Sequence, residues 1–290
     1  MSLQVNKREE LTLIDLVPTR IYAKLFSASY LSRKRFRINN FAKLVDFLCW
    51  EKREKREIVV YSLDEDLRYC LKDLAEKLGF VVLSFDILIE NLKSDNVLMK
   101  LPDEVRWKKV KENKTKKHRL DKYYWYNFII YSKASLDSIA VTLNSFFGFG
   151  FVGGQIDFGK ARFVEKVSSL QQFANYSKTY GKWIESIINY RDAIIHQKSI
   201  DITSSKGQWL IPSRPLTMKE IDEFIMEYDS LKDAISKKRI ESNLVSMNLG
   251  SFMKKSIENL RSLAGLLSTE ILRELQRRNP NHKPSHTYYW

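Results

Sequence analysis

Cysteine is almost absent from this sequence, which contains only Cys49 and Cys70. Two residues are too few for a disulfide framework, and neither has the Cys or His neighbours of a zinc site. We therefore predict two reduced thiols. No His, Asp and Glu cluster has the spacing of metal ligands, so the sequence implies neither a metal nor another cofactor.

Long hydrophobic runs are also missing. No stretch reaches the roughly 18 uninterrupted apolar residues of a membrane helix, and Met1 to Asp15 has no apolar core of secretory length. These absences predict a cytoplasmic protein without a membrane partner. Because 44% of its 290 residues are apolar, the chain can form a core, as one large domain or two ordinary ones.

Positive charge is abundant. The chain has 49 Lys and Arg against 35 Asp and Glu, which gives a net charge of +14. An excess of this size favours a polyanionic partner, either nucleic acid or an acidic membrane surface. We take RNA as the expected partner.

The first 120 residues predict a smaller α/β or helical region. Residues 1 to 57 have helical periodicity and end in the charged run Glu51 to Glu57, which is typical of a solvated helix face. Ile58 to Tyr61, a helix over residues 64 to 78 stopped by Gly79, and Phe80 to Ser84 then predict a parallel strand, helix, strand unit. Short apolar runs of this kind also fit a buried helix.

The basic segment Arg106 to Arg119 is the predicted domain boundary, and it separates residues 1–120 from a helical domain over residues 121–278 and a tail over residues 279–290. A solvated linker is the plain interpretation. The alternative is contact with a phosphate backbone, because clustered Lys and Arg around Trp107 would release counterions from a nucleic acid.

The second half is predicted to be mainly α, as a helical bundle with one β-hairpin. Helices are expected over residues 121–147, 159–177, 179–197 and 251–278, and the capping box Thr217 to Glu220 opens a further helix to about Asn248. Residues 199–203 and 208–211 alternate around a Ser-Ser-Lys-Gly turn, which predicts a hairpin after the third of these helices.

The run Gly148-Phe-Gly-Phe-Val-Gly153 matches the dinucleotide-binding fingerprint. That fingerprint works only after a strand, where it opens a helix whose N-terminus receives pyrophosphate. Here it follows a long predicted helix. We therefore predict a flexible reversal between two helices rather than a nucleotide site.

The segment Trp183 to His196 has the most informative pattern. On a helix, Arg191 falls in the middle of an apolar stripe that should face the core or a partner, made by Ile184, Ile187, Ile188 and Ile195. A charge there requires a carboxylate or a ligand phosphate. Asp192 precedes His196 by four residues, so its carboxylate can orient the imidazole or raise its pKa.

At Arg191-Asp-Ala-Ile-Ile-His196 the sequence resembles the Arg, polar residue, short spacer, His signature of HEPN domains. The order of elements supports this, since Asn127 to Phe147 resembles the first long HEPN helix. The resemblance covers about residues 121 to 275. It implies an up-and-down helical bundle, commonly a homodimer, in which two copies of the signature face each other across a cleft.

The same resemblance implies a metal-independent endoribonuclease, related to toxins or defence, with an antitoxin or other regulatory protein as a partner. His196 would transfer a proton to or from the RNA, Arg191 would stabilise charge on the scissile phosphate, and Asp192 would orient the imidazole.

Three supporting residues complete the predicted site. Asp137, on the preceding helix, is the expected carboxylate partner of the signature arginine. Lys133 and Lys198 are expected to contact RNA.

Other interpretations stay open. The signature arginine could form a buried salt bridge and His196 a helix C-cap. An HEPN-like module could bind RNA or protein without cutting, and the helices after Thr217 could form a partner-binding face. Spacing alone is not decisive, because Arg277 and His282 share it, although Pro280 lies between them and breaks the helix.

Overall fold

A computed structural model of the protein describes residues 41–54, 57–99, 103–195, 200, 202–205, 208–214 and 246–282. The described residues are mainly helical, as expected. The helices and strands, in chain order, are α1 (Phe41–Leu48), β1 (Cys49–Glu54), β2 (Glu57–Ser62), α2 (Glu65–Met99), α3 (Asp103–Phe147), α4 (Ala161–Ser168), α5 (Tyr176–Ile195), β3 (Thr203–Ser205), β4 (Gln208–Pro212), β5 (Ser246–Asn248) and α6 (Leu249–Arg278).

The described chain divides into two compact units. The first comprises residues 41–79, 134–181 and 258–282, and the second comprises residues 80–133 and 182–257 where the structure describes them. Each of the helices α2, α3, α5 and α6 contributes one stretch to each unit. Residues 106–119, the predicted linker, are part of the 45-residue helix α3, and secondary structure is continuous through the expected boundary near residue 120.

The predicted parallel strand, helix, strand unit is wrong. Ile58 to Tyr61 does form a strand, but it pairs antiparallel with β1. Phe80 to Ser84 is helical, because α2 continues through Gly79. The buried positions of α2 continue at helical spacing past that glycine, so burial of one continuous apolar face outweighs a glycine cost of about 1 kcal/mol. These positions are Leu67, Leu71, Leu74, Leu78, Val81, Leu88 and Leu92.

The charged run Glu51 to Glu57 was predicted to end the first helix, but most of it lies in two strands. Helix α1 ends at Leu48, and Cys49–Glu54 forms β1, with Trp50 opposite Tyr61 and Arg53 opposite Ile58. A β-branched run such as Ile58 to Val60 favours a strand and needs a partner for its backbone groups. The charged segment supplies that partner. Residues 1–40 of the predicted helical region lie outside the described residues.

The second half agrees more closely with expectation. Helix α3 ends at Phe147, α6 ends at Arg278, and the predicted hairpin forms, with Thr203 opposite Leu210 and Ser205 opposite Gln208. The helix expected over residues 159–177 is shorter and breaks after Ser168, with a single 3-10 turn at Gln171–Phe173 before α5 begins.

One further strand was not predicted. Ser246–Asn248 pairs with Leu210 to Pro212, where the sequence indicated the end of a long helix. The rest of that expected helix, residues 217–245, lies outside the described residues, as does the tail beyond His282.

The expected loop at Gly148 to Gly153 is confirmed. It follows helix α3, and Gly148, Gly150 and Gly153 adopt positive φ angles of 62°, 78° and 49°. L-residues adopt this left-handed region only with strain, so the glycines are required by the backbone. Because no strand precedes the loop, it lacks the setting of a dinucleotide site.

Polar side chains connect helices inside the first unit. Ser138 of α3 is buried, donates a hydrogen bond of 2.6 Å to the Asp73 carboxylate of α2, and accepts one of 2.8 Å from Lys77 Nζ. The Glu270 carboxylate is also buried and accepts a 3.0 Å hydrogen bond from the Gln172 backbone. Three residues before Asp73 on α2, Cys70 is a free, half-buried thiol whose pKa is raised chiefly by burial.

The C-terminal turn of α6 carries a clamp around Glu274. Its carboxylate accepts hydrogen bonds from Arg277 Nε and Nη2 at 2.7 and 2.6 Å, and from Arg278 Nε at 2.8 Å. The hydrogen bond from Arg277 and then that from Arg278 lower the pKa of Glu274 from 4.5 to about 2. A group with a lowered folded-state pKa stabilises the protein above its unfolded pKa and loses that contribution as the pH falls.

Replacing Glu274 by Gln is therefore expected to lower the free energy of unfolding at pH 7 by about 1 kcal/mol, a small value because the arginines are solvent-screened. The difference from wild type should shrink between pH 4.5 and about 2, where the wild-type carboxylate becomes protonated. Urea unfolding at pH 7 and pH 3 measures both values. Glu165→Gln, at an exposed position of α4, is the control, and an equal loss for Glu274→Gln at both pH values would contradict the assignment.

Candidate functional site

The signature helix α5 buries a different face from the one predicted. Its buried residues in the second unit are Ile184, Ile187, Tyr190 and Ala193, which recur every third position. A spacing of three residues is about 60° less than a full helical turn. Each successive buried residue is therefore displaced by about 60° from the one before, and the buried face winds around the helix toward its C-terminal end. In the last turn of α5, the buried face lies on the opposite side of the helix from the apolar stripe predicted around Arg191 and Ile195. Ile195 is accordingly 49% exposed.

Arg191 is consequently not a buried residue. Its side chain is 42% exposed, and Nη1 forms an ion pair of 2.8 Å with Oδ1 of the adjacent Asp192, which is 48% exposed. The expected need for a carboxylate is met by the neighbouring residue. Because this pair is exposed, it contributes little to stability and leaves the guanidinium open to solvent.

Tyr190 fixes the rotation of α5. Its side chain is fully buried, its ring packs edge-on against Trp125 and Phe252, and its hydroxyl donates a hydrogen bond to the Pro212 carbonyl of β4. Burial raises the pKa of this phenol well above its usual range. Tyr190 was not identified from the sequence, although the spacing of Ile184, Ile187 and Tyr190 contained the signal.

Two other contacts hold the signature region in the second unit. Trp183 Nε1 donates a 2.9 Å hydrogen bond to Ser256 Oγ, which joins α5 to α6. The backbone N–H of the buried Ile200 donates a 3.3 Å hydrogen bond to the Tyr126 hydroxyl of α3. The chain is thus anchored shortly before and shortly after the signature.

The other predicted site residues have different placements. His196 and Lys198 lie outside the described residues. Lys133 is only 8% exposed, which leaves little of its side chain for an RNA phosphate. Asp137 lies on the part of α3 that belongs to the first unit, whereas Arg191 belongs to the second. The predicted role of Asp192 toward the imidazole stays a prediction.

The described part of the chain brings no three His, Cys, Asp or Glu side chains together as a metal site. Of the helices described, none has a stretch of the length and apolarity needed to cross a bilayer. No protein family matches the chain, and neither a curated protein nor a solved structure shows significant similarity to it.

The Tyr190 anchor is testable by removing only its hydroxyl. Tyr190→Phe should lower the free energy of unfolding by about 1 to 2 kcal/mol, because the Pro212 carbonyl would lose its buried donor. Chemical denaturation measures this change. Tyr123→Phe, at a side chain that is 57% exposed, should have no measurable effect. Equal stability of the two variants would show that the hydroxyl is not an anchor.

Proposed function

We propose that the protein is a metal-independent endoribonuclease in which Arg191 and His196 act on the scissile phosphodiester. The observation that supports this most is the exposure of the Arg191 guanidinium in the last turns of α5. A guanidinium sealed in the core could not meet a substrate, whereas this one can. The net charge of +14 would assist the encounter with a polyanion.

The proposed chemistry needs one cation and one proton carrier. The RNA 2′-oxygen would attack phosphorus while its proton passes to a base, and the departing 5′-oxygen would receive a proton, leaving a cyclic phosphate and a free 5′-hydroxyl. His196 suits proton transfer because imidazole changes charge near neutral pH. Arg191 suits the phosphate because its planar donors match two phosphate oxygens.

Asp192 is proposed as a positioning residue for the guanidinium. Its ion pair occupies Nη1, and a guanidinium has five N–H donors, so further donors remain for phosphate oxygens. The carboxylate would also compete with the substrate phosphate for Arg191. Removing its charge should therefore change substrate binding and catalysis to different extents.

Two partner assignments accompany this proposal. A homodimer would place two signature helices together, as the HEPN resemblance implies, and an antitoxin or another regulatory protein would restrain the activity.

Cleavage of an unstructured, end-labelled RNA in the presence of a chelator tests the proposal. Arg191→Ala and His196→Ala are each expected to reduce the rate about 100-fold or more, since proton transfer and charge stabilisation contribute factors of that size. Asp192→Asn should reduce kcat by less than Arg191→Ala or His196→Ala does, and it should also change KM. A rate abolished by the chelator would contradict the metal-independent route.

The chain contains a matched control. Arg277 and His282 have the same spacing as the signature, and Arg277 also forms an exposed ion pair with a helical carboxylate, Glu274. Arg277→Ala and His282→Ala should retain cleavage. If the wild-type protein retains RNA without cutting it, the protein is the non-catalytic binding module. If it does neither, the partner-binding interpretation is favoured.

A further inference from the structure

The first unit contains a continuous row of cations and aromatic rings at the end of α3. The Arg278 guanidinium lies 4.8 Å from the Phe146 ring centre, and Phe146 contacts Phe147 edge-on at 4.9 Å. Phe147 and Phe149 are stacked, with ring centres 6.0 Å apart and planes 22° apart. Lys166 Nζ lies 5.9 Å from the Phe149 ring centre. We call these five residues the cation–aromatic row.

Phe146 is buried, but the other four residues of the row are partly or fully accessible to solvent. Phe147 and Phe149 are half-buried, Lys166 is exposed, and the Arg278 side chain is 45% exposed while Glu274 holds its Nε. Val152, in the same loop, is 69% exposed. The part-exposed rings of Phe147 and Phe149 and the exposed Lys166 therefore form a surface that a ligand can reach.

The loop that carries Phe149 is fixed by Asn144. The Asn144 side chain donates a 3.1 Å hydrogen bond to the Phe151 carbonyl and accepts one of 3.1 Å from the Phe151 N–H. The backbone carbonyl of Asn144 accepts a 3.1 Å hydrogen bond from the backbone N–H of Phe149. Phe149 is therefore held in place before any ligand binds, which reduces the entropy cost of binding.

The positive charge around the row extends along α4. Arg162 and Lys166 are four residues apart on this helix, share one face and are both exposed. Lys160, just before the helix, is exposed as well. This face complements a phosphate backbone, whereas the stacked rings complement bases.

We propose that the cation–aromatic row binds single-stranded nucleic acid, with bases stacked on Phe147 and Phe149 and phosphates held by Lys166 and Arg162. Stacking tolerates any base, so the surface would have little sequence preference. Phe147 and Phe149 are half-buried, so each presents part of a ring to solvent and does not protrude, which favours stacking with a base over insertion into a lipid layer. This binding goes beyond the proposed cleavage and does not require it.

Binding of fluorescently labelled oligomers to the full-length protein tests the proposal. The probes are a 2′-O-methyl uridine oligomer and a thymidine DNA oligomer, each of about 12 nucleotides. Neither has a free 2′-hydroxyl, so neither can be cut by the proposed chemistry. Binding of either one that is weakened by the row variants supports the row as a single-strand site, and the ratio of the two affinities distinguishes RNA from DNA as its ligand.

Phe149→Leu keeps the apolar volume but removes the stacking face, and it should weaken binding about tenfold. Lys166→Gln should weaken binding at moderate salt and reduce the slope of log affinity against log salt by about one. The matched control is Tyr69→Leu, because Tyr69 is 53% exposed and has Arg68 4.9 Å over its ring, yet lies outside the row. It should bind as wild type does.

Unchanged affinity in both row variants would overturn the proposal, as would an equal loss in Tyr69→Leu. If Phe149→Leu proves less stable in a thermal melt, Lys166→Gln decides the question, because its position is exposed. Flotation with phosphatidylserine vesicles is the competing arm. Vesicle binding lost in Phe149→Leu, with oligomer affinity unchanged, would identify a lipid contact and overturn nucleic-acid binding. None of these results depends on cleavage by Arg191 and His196.

Discussion

The burial of Tyr190 is the constraint on which the geometry of the signature helix depends. A tyrosine in a core needs both apolar neighbours for its ring and an acceptor for its hydroxyl, and α5 satisfies both at Trp125, Phe252 and the Pro212 carbonyl. These contacts hold the helix in the rotation that the structure shows. Arg191, the next residue, is then turned about 100° away from the buried face. Its exposure therefore follows from the packing of its neighbour.

The sequence was most informative where long helices have one strong apolar face. The ends of α3 at Phe147 and of α6 at Arg278, and the hairpin around Leu210, were predicted well, because periodicity and turn residues agree there. It was least informative for short apolar runs. Phe80 to Ser84 has the composition of a strand, and only its continuity with the buried face of α2 makes it helical. That continuity is a tertiary effect which a local pattern does not contain.

The environment of the candidate site residues was not predictable from the sequence. Arg191 and Asp192 were identified from the sequence, yet the arginine was expected in an apolar stripe. The stripe was predicted from the spacing of the Ile residues. Packing instead buries Tyr190 in place of Arg191, one position earlier, and Ala193 in place of Ile195, two positions earlier. Tyrosine is easily left out of a hydrophobic pattern because of its hydroxyl, although burying its ring stabilises the fold more than burying one aliphatic side chain does. The pairing of adjacent residues was likewise not readable, because spacing rules describe neighbours three or four apart.

The Arg191–Asp192 pair has a consequence for catalysis under the proposed function. A guanidinium already paired with a carboxylate binds a ground-state phosphate less tightly than an unpaired one would, since the substrate must compete with Asp192. As negative charge accumulates on the phosphate oxygens, the balance moves toward the substrate. Only interactions that strengthen in the transition state raise kcat, so weak initial binding by Arg191 would favour turnover. Such a site needs another source of affinity for its substrate, and a separate surface that holds single strands by stacking would supply it without stabilising the ground state at the reacting bond.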